Sequence, residues 1–313
     1  MVVARCVTVG AVVASMVTLA ACGDSANNSS GPAATAQVAT PTAVATCVTG
    51  SIGADGSSAI KALVQKAADE YQANCPGATI TVAATNSSTG VTKAAAGTVD
   101  IGDSDIPATL VQGVDASTLV DHPVALVLFD VVVNADAGVT NLTLAQVRSI
   151  FSGQTTNWSQ VGGANLPITV LERTAGSGTR FTFDKDIMAG TNETSSPAGI
   201  VNTTQTLLTQ MDVTTNPSAK GAITYLTASS VAASTGLVAL KINNVAPGAD
   251  AVAAGTYPFF SHEHCFTKKG QVTTLALSFL QYMQSAVFQD GSLTSLHYIP
   301  LSKTSRQAAV DQG

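Results

Sequence analysis

The residues that could do chemistry sit in one short stretch. Arg173, Thr174, Ala175, Gly176, Ser177, Gly178 and Thr179 follow the apolar run 167–171 and precede Phe181, Thr182 and Phe183. A strand that ends in a glycine-and-hydroxyl turn and opens a helix leaves several backbone N–H groups free at one point. Those groups, the hydroxyls of Ser177 and Thr179 and the Arg173 guanidinium can converge on a small oxyanion. Gly-Ser-Gly-Thr is also ordinary turn chemistry, so the stretch gains weight from two similar loops upstream, at 53–58 and 86–90. Taken singly, each residue has a plainer reading. Ser58, Ser87 and Ser177 are good helix N-caps. Asp105, or Asp103 in its place, could cap the turn before Pro107, and Arg173 could pair with Glu172.

The elements that must position these loops follow from the apolar pattern. Residues 48–52 read as a strand, and 59–73 as a helix with Ile60, Leu63, Val64, Ala67, Ala68 and Tyr71 at helical spacing. A strand at 78–84, a second helix at 91–96 and a short strand from Ile101 come next. This β-loop-α repetition predicts a parallel sheet with helices on its faces, whose ligands lie beyond the carboxyl ends of the strands. All these loops fall on that edge. Further on, 124–134 is a long apolar strand suited to crossing between lobes, 144–151 a helix, 221–226 a strand, 257–260 a return crossing and 275–283 an amphipathic helix.

The ends and the composition bound the rest. Arg5 and the apolar stretch 6–21 read as an export signal, too short for a confident membrane span. Leu19, Ala20, Ala21 and Cys22 resemble a bacterial lipobox, which implies cleavage before Cys22 and a lipid on its thiol; a plain secretory signal is the alternative. Residues 22–46, rich in Ser, Asn, Ala, Thr and Gly, form a linker that cannot bury enough apolar surface to fold. The body begins at Cys47, and the whole chain is 45% apolar and 11% charged, with a net charge of −6. That excludes a basic nucleic-acid surface. An acidic protein that binds an anion must use local dipoles and one or two buried cations. Of the three remaining cysteines, Cys47 and Cys75 lie at one end of a βαβ unit and are expected to pair, with Cys265 a buried thiol.

In order along the chain, these segments resemble the phosphate-binding lipoproteins of bacterial ABC phosphate transporters. The matching pieces are Asn86 to Val91, Gly97 to Gly102 leading to Ser104 and Asp105, Ile150 to Gly153 with Thr156, Asn157 and Trp158, and Arg173 with Gly176 to Phe181. Gly221 to Tyr225, Tyr257 and Pro258, Thr267 to Gly270 and Tyr298 to Leu301 complete the series. The resemblance implies an α/β, two-lobed periplasmic-binding-protein fold that crosses between lobes twice, with lobe I at 47–125 plus 262–313 and lobe II at 126–261. It implies a non-enzymatic binder without cofactor or metal, lipid-anchored outside the cell membrane, that hands phosphate to the permease and ATPase of an ABC transporter.

The family's ligand positions carry over to Ser58 and the backbone N–H of Ala59, to Ser87, to Asp105, and to Arg173, Ser177, Gly178 and Thr179. Ser57 takes the place of Ser58 if the first loop shifts by one. Asp105 is the informative member. A carboxylate only accepts, so it can face phosphate only where phosphate donates its proton, and sulfate has none to donate at this pH. Two positions depart from the family pattern: Ala175 stands where many relatives carry an acid two residues after the arginine, and Thr89 where glycine is common. Without that acid, Arg173 must be oriented by another group.

Other chemistries fit less well. His262, Glu263, His264 and Cys265 form a ligand-rich cluster, but a strand would place only His262 and His264 on one face, short of a structural metal site. A hydrolase built on Ser177 lacks the Gly-x-Ser-x-Gly elbow and an evident base. Sulfate, molybdate or a phosphonate is the competing ligand for a binder, and a sensor or adhesin the competing role.

Overall fold

A computed structural model of the protein describes residues 47–194 and 199–303. The expected signal, Cys22 and the linker lie outside the described residues. In chain order the regular elements begin with β1 (Gly50–Gly56), α1 (Lys61–Asn74), β2 (Ala78–Val82), α2 (Ser87–Ala96), β3 (Ile101–Ser104), β4 (Leu119–Asn134), β5 (Asn141–Leu142) and α3 (Leu144–Phe151). Next come β6 (Thr169–Arg173), α4 (Gly178–Thr182), β7 (Gly199–Val201), α5 (Thr204–Met211), β8 (Ala222–Thr227), α6 (Ala228–Ala232), β9 (Leu237–Ala239) and β10 (Lys241–Ile242). The chain closes with α7 (Ala249–Ala253), β11 (Phe260–Lys268), α8 (Thr274–Met283) and α9 (Ala286–Phe288).

The main sheet runs β2-β1-β3-β11-β4-β8-β6-β7, with β9 also on β4. Strands β1, β2 and β3 are mutually parallel, as the repeated strand-loop-helix order requires. So are β6, β7 and β8. Two antiparallel strands join the halves. Strand β4 pairs with β11 from Leu119 to Leu128 and with β8 from Phe129 to Val133, so it changes partner in mid-strand. Its residues from Val124 to Asn134 are all buried, Asp130 and Asn134 included, which is why the stretch reads as a long apolar run broken only at those two positions.

Beside the switch, Phe129 N–H donates to Phe259 O at 3.1 Å and the Tyr257 hydroxyl donates to Phe129 O at 2.9 Å. Residues 257–259 therefore run beside the point where β4 changes partner. Phe183 stacks on Tyr225 with centroids 4.3 Å apart, and Phe151 and Phe259 close the cluster. This aromatic core fixes β8 under the loop after β6. On the other half, Tyr71 of α1 packs edge-on against Phe279 of α8, tying the chain's final helices to its first.

Helix starts differ from the spacing by a few residues, for local reasons. Helix α1 begins at Lys61 rather than near Ala59, because Ser57 Oγ accepts from Ala59 N and closes a turn first. Helix α2 begins at Ser87 rather than Val91, because Asn86 Oδ1 accepts from Thr89 N at 2.9 Å and caps it early. Cys47 and Cys75 form a disulfide, and Cys265 is a buried free thiol.

Candidate functional site

The carboxyl ends of β1, β3, β6 and β7 and the loop after β2 meet at one seam, and the residues named from sequence as phosphate ligands lie in it. Ser57, Ala59, Ser87, Asp105, Arg173, Ser177, Gly178 and Thr179 are buried there, and Ser58 is half-buried. Arg173 is the last residue of β6, and its guanidinium crosses to the other half: Nη2 donates to Ser58 Oγ at 3.1 Å. Ser58 Oγ also accepts from Thr204 N at 3.0 Å.

Ser87 makes a second crossing, because its Oγ accepts from Asp105 N at 3.1 Å and from Gly178 N at 3.2 Å. Thr179 Oγ1 makes the third by donating to Asp105 Oδ2 at 2.9 Å. Gly178 is required at this point: a Cβ there would collide with Ser87 Oγ and Asp105 Cβ.

This geometry separates capping from recognition. Ser177 is a cap, accepting from Arg180 N at 3.3 Å at the start of α4. Ser58 and Ser87 are not caps; their hydroxyls point across the seam. Ser57 Oγ holds the Ala59 amide at 3.0 Å, so of the two serines Ser58 is the one that reaches the opposite half, and Ala59 N–H is turned to Ser57. The Thr89 amide is likewise committed, to the Asn86 cap.

Arg173 is oriented without an acid at position 175. Its Nη2 donates to the Asn202 carbonyl at 2.7 Å, and its backbone N–H donates to the Tyr225 hydroxyl at 3.3 Å. Glu172 turns instead to Arg180, whose Nη1 braces the Arg173 carbonyl at 2.6 Å. Arg173 Nε is buried with no partner, and so is Asp105 Oδ1. Burial pushes the Arg173 pKa down, opposed chiefly by the Asp105 carboxylate. One buried cation and one buried carboxylate thus face a ring of hydroxyls and amides. That set can wrap a small anion carrying both acceptor oxygens and a proton.

Asn202, Thr204 and Glu263 were not singled out as site residues. Asn202, Thr203 and Thr204, between β7 and α5, repeat the strand, hydroxyl turn and helix order of the other loops, and that pattern could have flagged them. Glu263 was hidden in the His262–Cys265 cluster. There His264 Nδ1 meets Asp121 at 2.9 Å and its ring stacks on Phe266. Among the described residues no three His, Cys, Asp or Glu side chains assemble to hold a metal ion.

Fold and seam define a two-lobed binding-protein architecture, with the loop ends gathered at one buried seam. The chain belongs to the PBP superfamily, whose domain model matches residues 32–287. It is 38% identical over 263 residues to the phosphate-binding protein PstS of Bacillus subtilis (strain 168), covering 83% of this chain and 84% of that one. The fold matches a candidate phosphate ABC transporter substrate-binding protein with bound phosphate from Clostridium perfringens at a TM-score of 0.71, with 24% identity over 80% of this chain and 100% of that one. An ABC-type phosphate transport receptor from Vibrio cholerae matches at 0.61, with 25% identity over 79% and 99% of the two chains.

Proposed function

We propose that this protein captures inorganic phosphate between its two lobes and delivers it to the permease of an ABC transporter. The observation that carries the reading is the pairing, in one buried seam, of the Arg173 guanidinium with the Asp105 carboxylate, amid the hydroxyls of Ser58, Ser87 and Thr179 and the Gly178 amide. The similarity to the Bacillus subtilis protein supports it. Lobe I takes residues 47–125 plus 262–313 and lobe II residues 126–261, with the partner change in β4 and the segment 257–259 as the two crossings. Outside the cell membrane, a lipid on Cys22 and the linker 22–46 tether the body near the permease.

Each residue type suits phosphate. Arg173 offers a planar fork for two oxygens. Hydrogen bonds to a charged ligand contribute about 1.5–3 kcal/mol each, so a handful exceeds the roughly 8 kcal/mol that micromolar binding needs. Asp105 accepts the proton that phosphate retains at neutral pH, and opposes an unprotonated sulfate in a dry site. With Ser177 engaged as the cap of α4, the seam binds without hydrolysing.

Isothermal titration with phosphate, sulfate, arsenate and molybdate tests the reading. Phosphate and arsenate, both protonated at neutral pH, bind; sulfate and molybdate bind far more weakly. Asp105→Ala loses discrimination more than it loses phosphate affinity. Sulfate competing on equal terms with phosphate in the wild type would refute the role of Asp105.

A further inference from the structure

One acid at the seam has no assigned task. Glu263 is fully buried on β11, and both of its carboxyl oxygens lack a partner among conventional donors. In the antiparallel register of β11 on β3, Cys265 lies opposite Asp103 and His264 opposite Ser104. Continued one step beyond the last paired residues, that register brings Glu263 to Asp105, and the two carboxyl groups interact directly; three of their four oxygens have no other hydrogen-bond partner. Nearby, the Ser261 hydroxyl donates to the Asp105 carbonyl, fixing the same two segments together.

Two carboxylates cannot hydrogen-bond each other without a proton, because each only accepts. Both ionised in a dry site, they would repel strongly. The surroundings decide which one keeps the proton. Asp105 Oδ2 receives the Thr179 hydroxyl, and the Arg173 charge reaches the Asp105 carboxylate. Glu263 faces acids: Asp105 and Asp103 across the β3 edge, Cys265 two residues along its own strand, and Tyr298 from the C-terminal segment.

We propose that Glu263 is a positioning residue of the anion site, a neutral carboxylic acid that donates to Asp105 Oδ1 and keeps Asp105 an ionised acceptor. Burial first, and the Asp105 charge second, push its pKa well above the ordinary range, in the same direction. A carboxylate has about four lone-pair positions. Thr179 and Glu263 take one on each oxygen, which leaves the remainder to accept the proton of the ligand. Without the Glu263 donor, one oxygen of Asp105 is left buried with no partner and the carboxylate is no longer held with its open acceptor positions toward the ligand's proton, so discrimination against sulfate weakens.

Infrared difference spectra of phosphate-free protein at about pH 7, where an ordinary carboxyl is ionised, read the protonation directly. Wild type minus Glu263→Gln shows one protonated-carboxyl band that the variant lacks; a missing carboxylate band in its place overturns the proposal. The selectivity arm rests on the phosphate reading above. Glu263→Leu, which removes the donor, narrows the ratio of phosphate to sulfate affinity by about tenfold or more. Glu263→Gln, whose amide still donates to Asp105, restores that ratio; a glutamine variant as unselective as the leucine variant also overturns the proposal. If Glu263→Leu fails to fold, the spectrum and the glutamine variant still decide. A protonated Glu263 in a protein that binds no phosphate would leave this assignment standing and sink only the phosphate reading.

Discussion

Around Arg180, three acids share one cation; around Asp105, the acids have none in ion-pair contact among the described residues. Arg180 Nη2 lies 2.6 Å from Glu193 Oε2 and 3.6 Å from Glu172 Oε2, and its Nε lies 3.5 Å from Asp184 Oδ2. Across the seam, Asp103, Asp105 and Glu263 crowd the edge between β3 and β11, while Lys93 is bound to Asp55. Both regions bury more negative charge than they can hold ionised. The first settles most of it with a guanidinium, the second with protons. The difference has a functional sense. A resident cation beside Asp105 would compete with Arg173 for its carboxylate, whereas a shared proton leaves Arg173 and the open lone pairs of Asp105 to the ligand.

The largest effect comes from removing the cation that the two regions do not share. Arg173→Ala takes away the guanidinium that, among the described residues, reaches Ser58, and removes the positive charge that opposes Asp105. Phosphate affinity falls by about two orders of magnitude or more, since charged hydrogen bonds of about 1.5–3 kcal/mol each are lost. Titration calorimetry reads this, and an unchanged affinity would refute the site. Arg173→Lys recovers little, because an ammonium cannot reproduce the planar fork.

Removing the other guanidinium tests the other half of the contrast. Arg180→Met strands Glu172, Glu193 and Asp184 together. The cost is about 2–3 kcal/mol of stability, below that of a fully buried pair because the Arg180 side chain is 25% exposed. The sign with pH follows. Burial already raises all three acids, Glu193 to about 8, and loss of Arg180 raises them further. The native state then binds more protons than the unfolded chain, so the deficit shrinks as pH falls toward the ordinary carboxylate range. Denaturant midpoints across pH measure it; a deficit that grows in acid would show that Arg180 does not neutralise this cluster.

Much of the seam was legible because its loops repeat one local rule, a strand ending in glycine and hydroxyl residues that opens a helix. Arg173, Ser177, Gly178 and Thr179 obey it, and β4 announced itself by the apolar residues on either side of Asp130 between Val124 and Val133. What sequence could not separate is which serine caps and which reaches across. Ser58, Ser87 and Ser177 are equivalent by type, and only the three-dimensional partners make Ser177 the cap and the others bridges. Glu263 was illegible for a different reason. Its role depends on the register of β11 against β3, strands separated by more than 150 residues, and no local pattern encodes that pairing. The anchor of Arg173 was also out of reach, since Asn202 acts through its carbonyl, which every residue possesses.

The smallest effect concerns Asp103, which settles the proton side of the contrast without touching the ligand. It is buried on β3, accepts from the Cys265 thiol at 3.3 Å, and is pushed up to about 7, by burial first and then by Asp55 and Asp105. An acid raised in the native state costs nothing below its unfolded value near 4 and lowers stability progressively as pH rises from there toward about 7. Asp103→Asn removes that titration and keeps the size of the side chain. Stability measured by denaturant midpoint then declines less between about pH 4 and pH 7 than in the wild type, by up to one proton's worth of slope. The acid cluster around Arg180 is unaltered in this variant and serves as the internal reference. An identical slope in variant and wild type would mean that Asp103 is ionised throughout, and that the charge at the β3 edge is carried by some means other than protons.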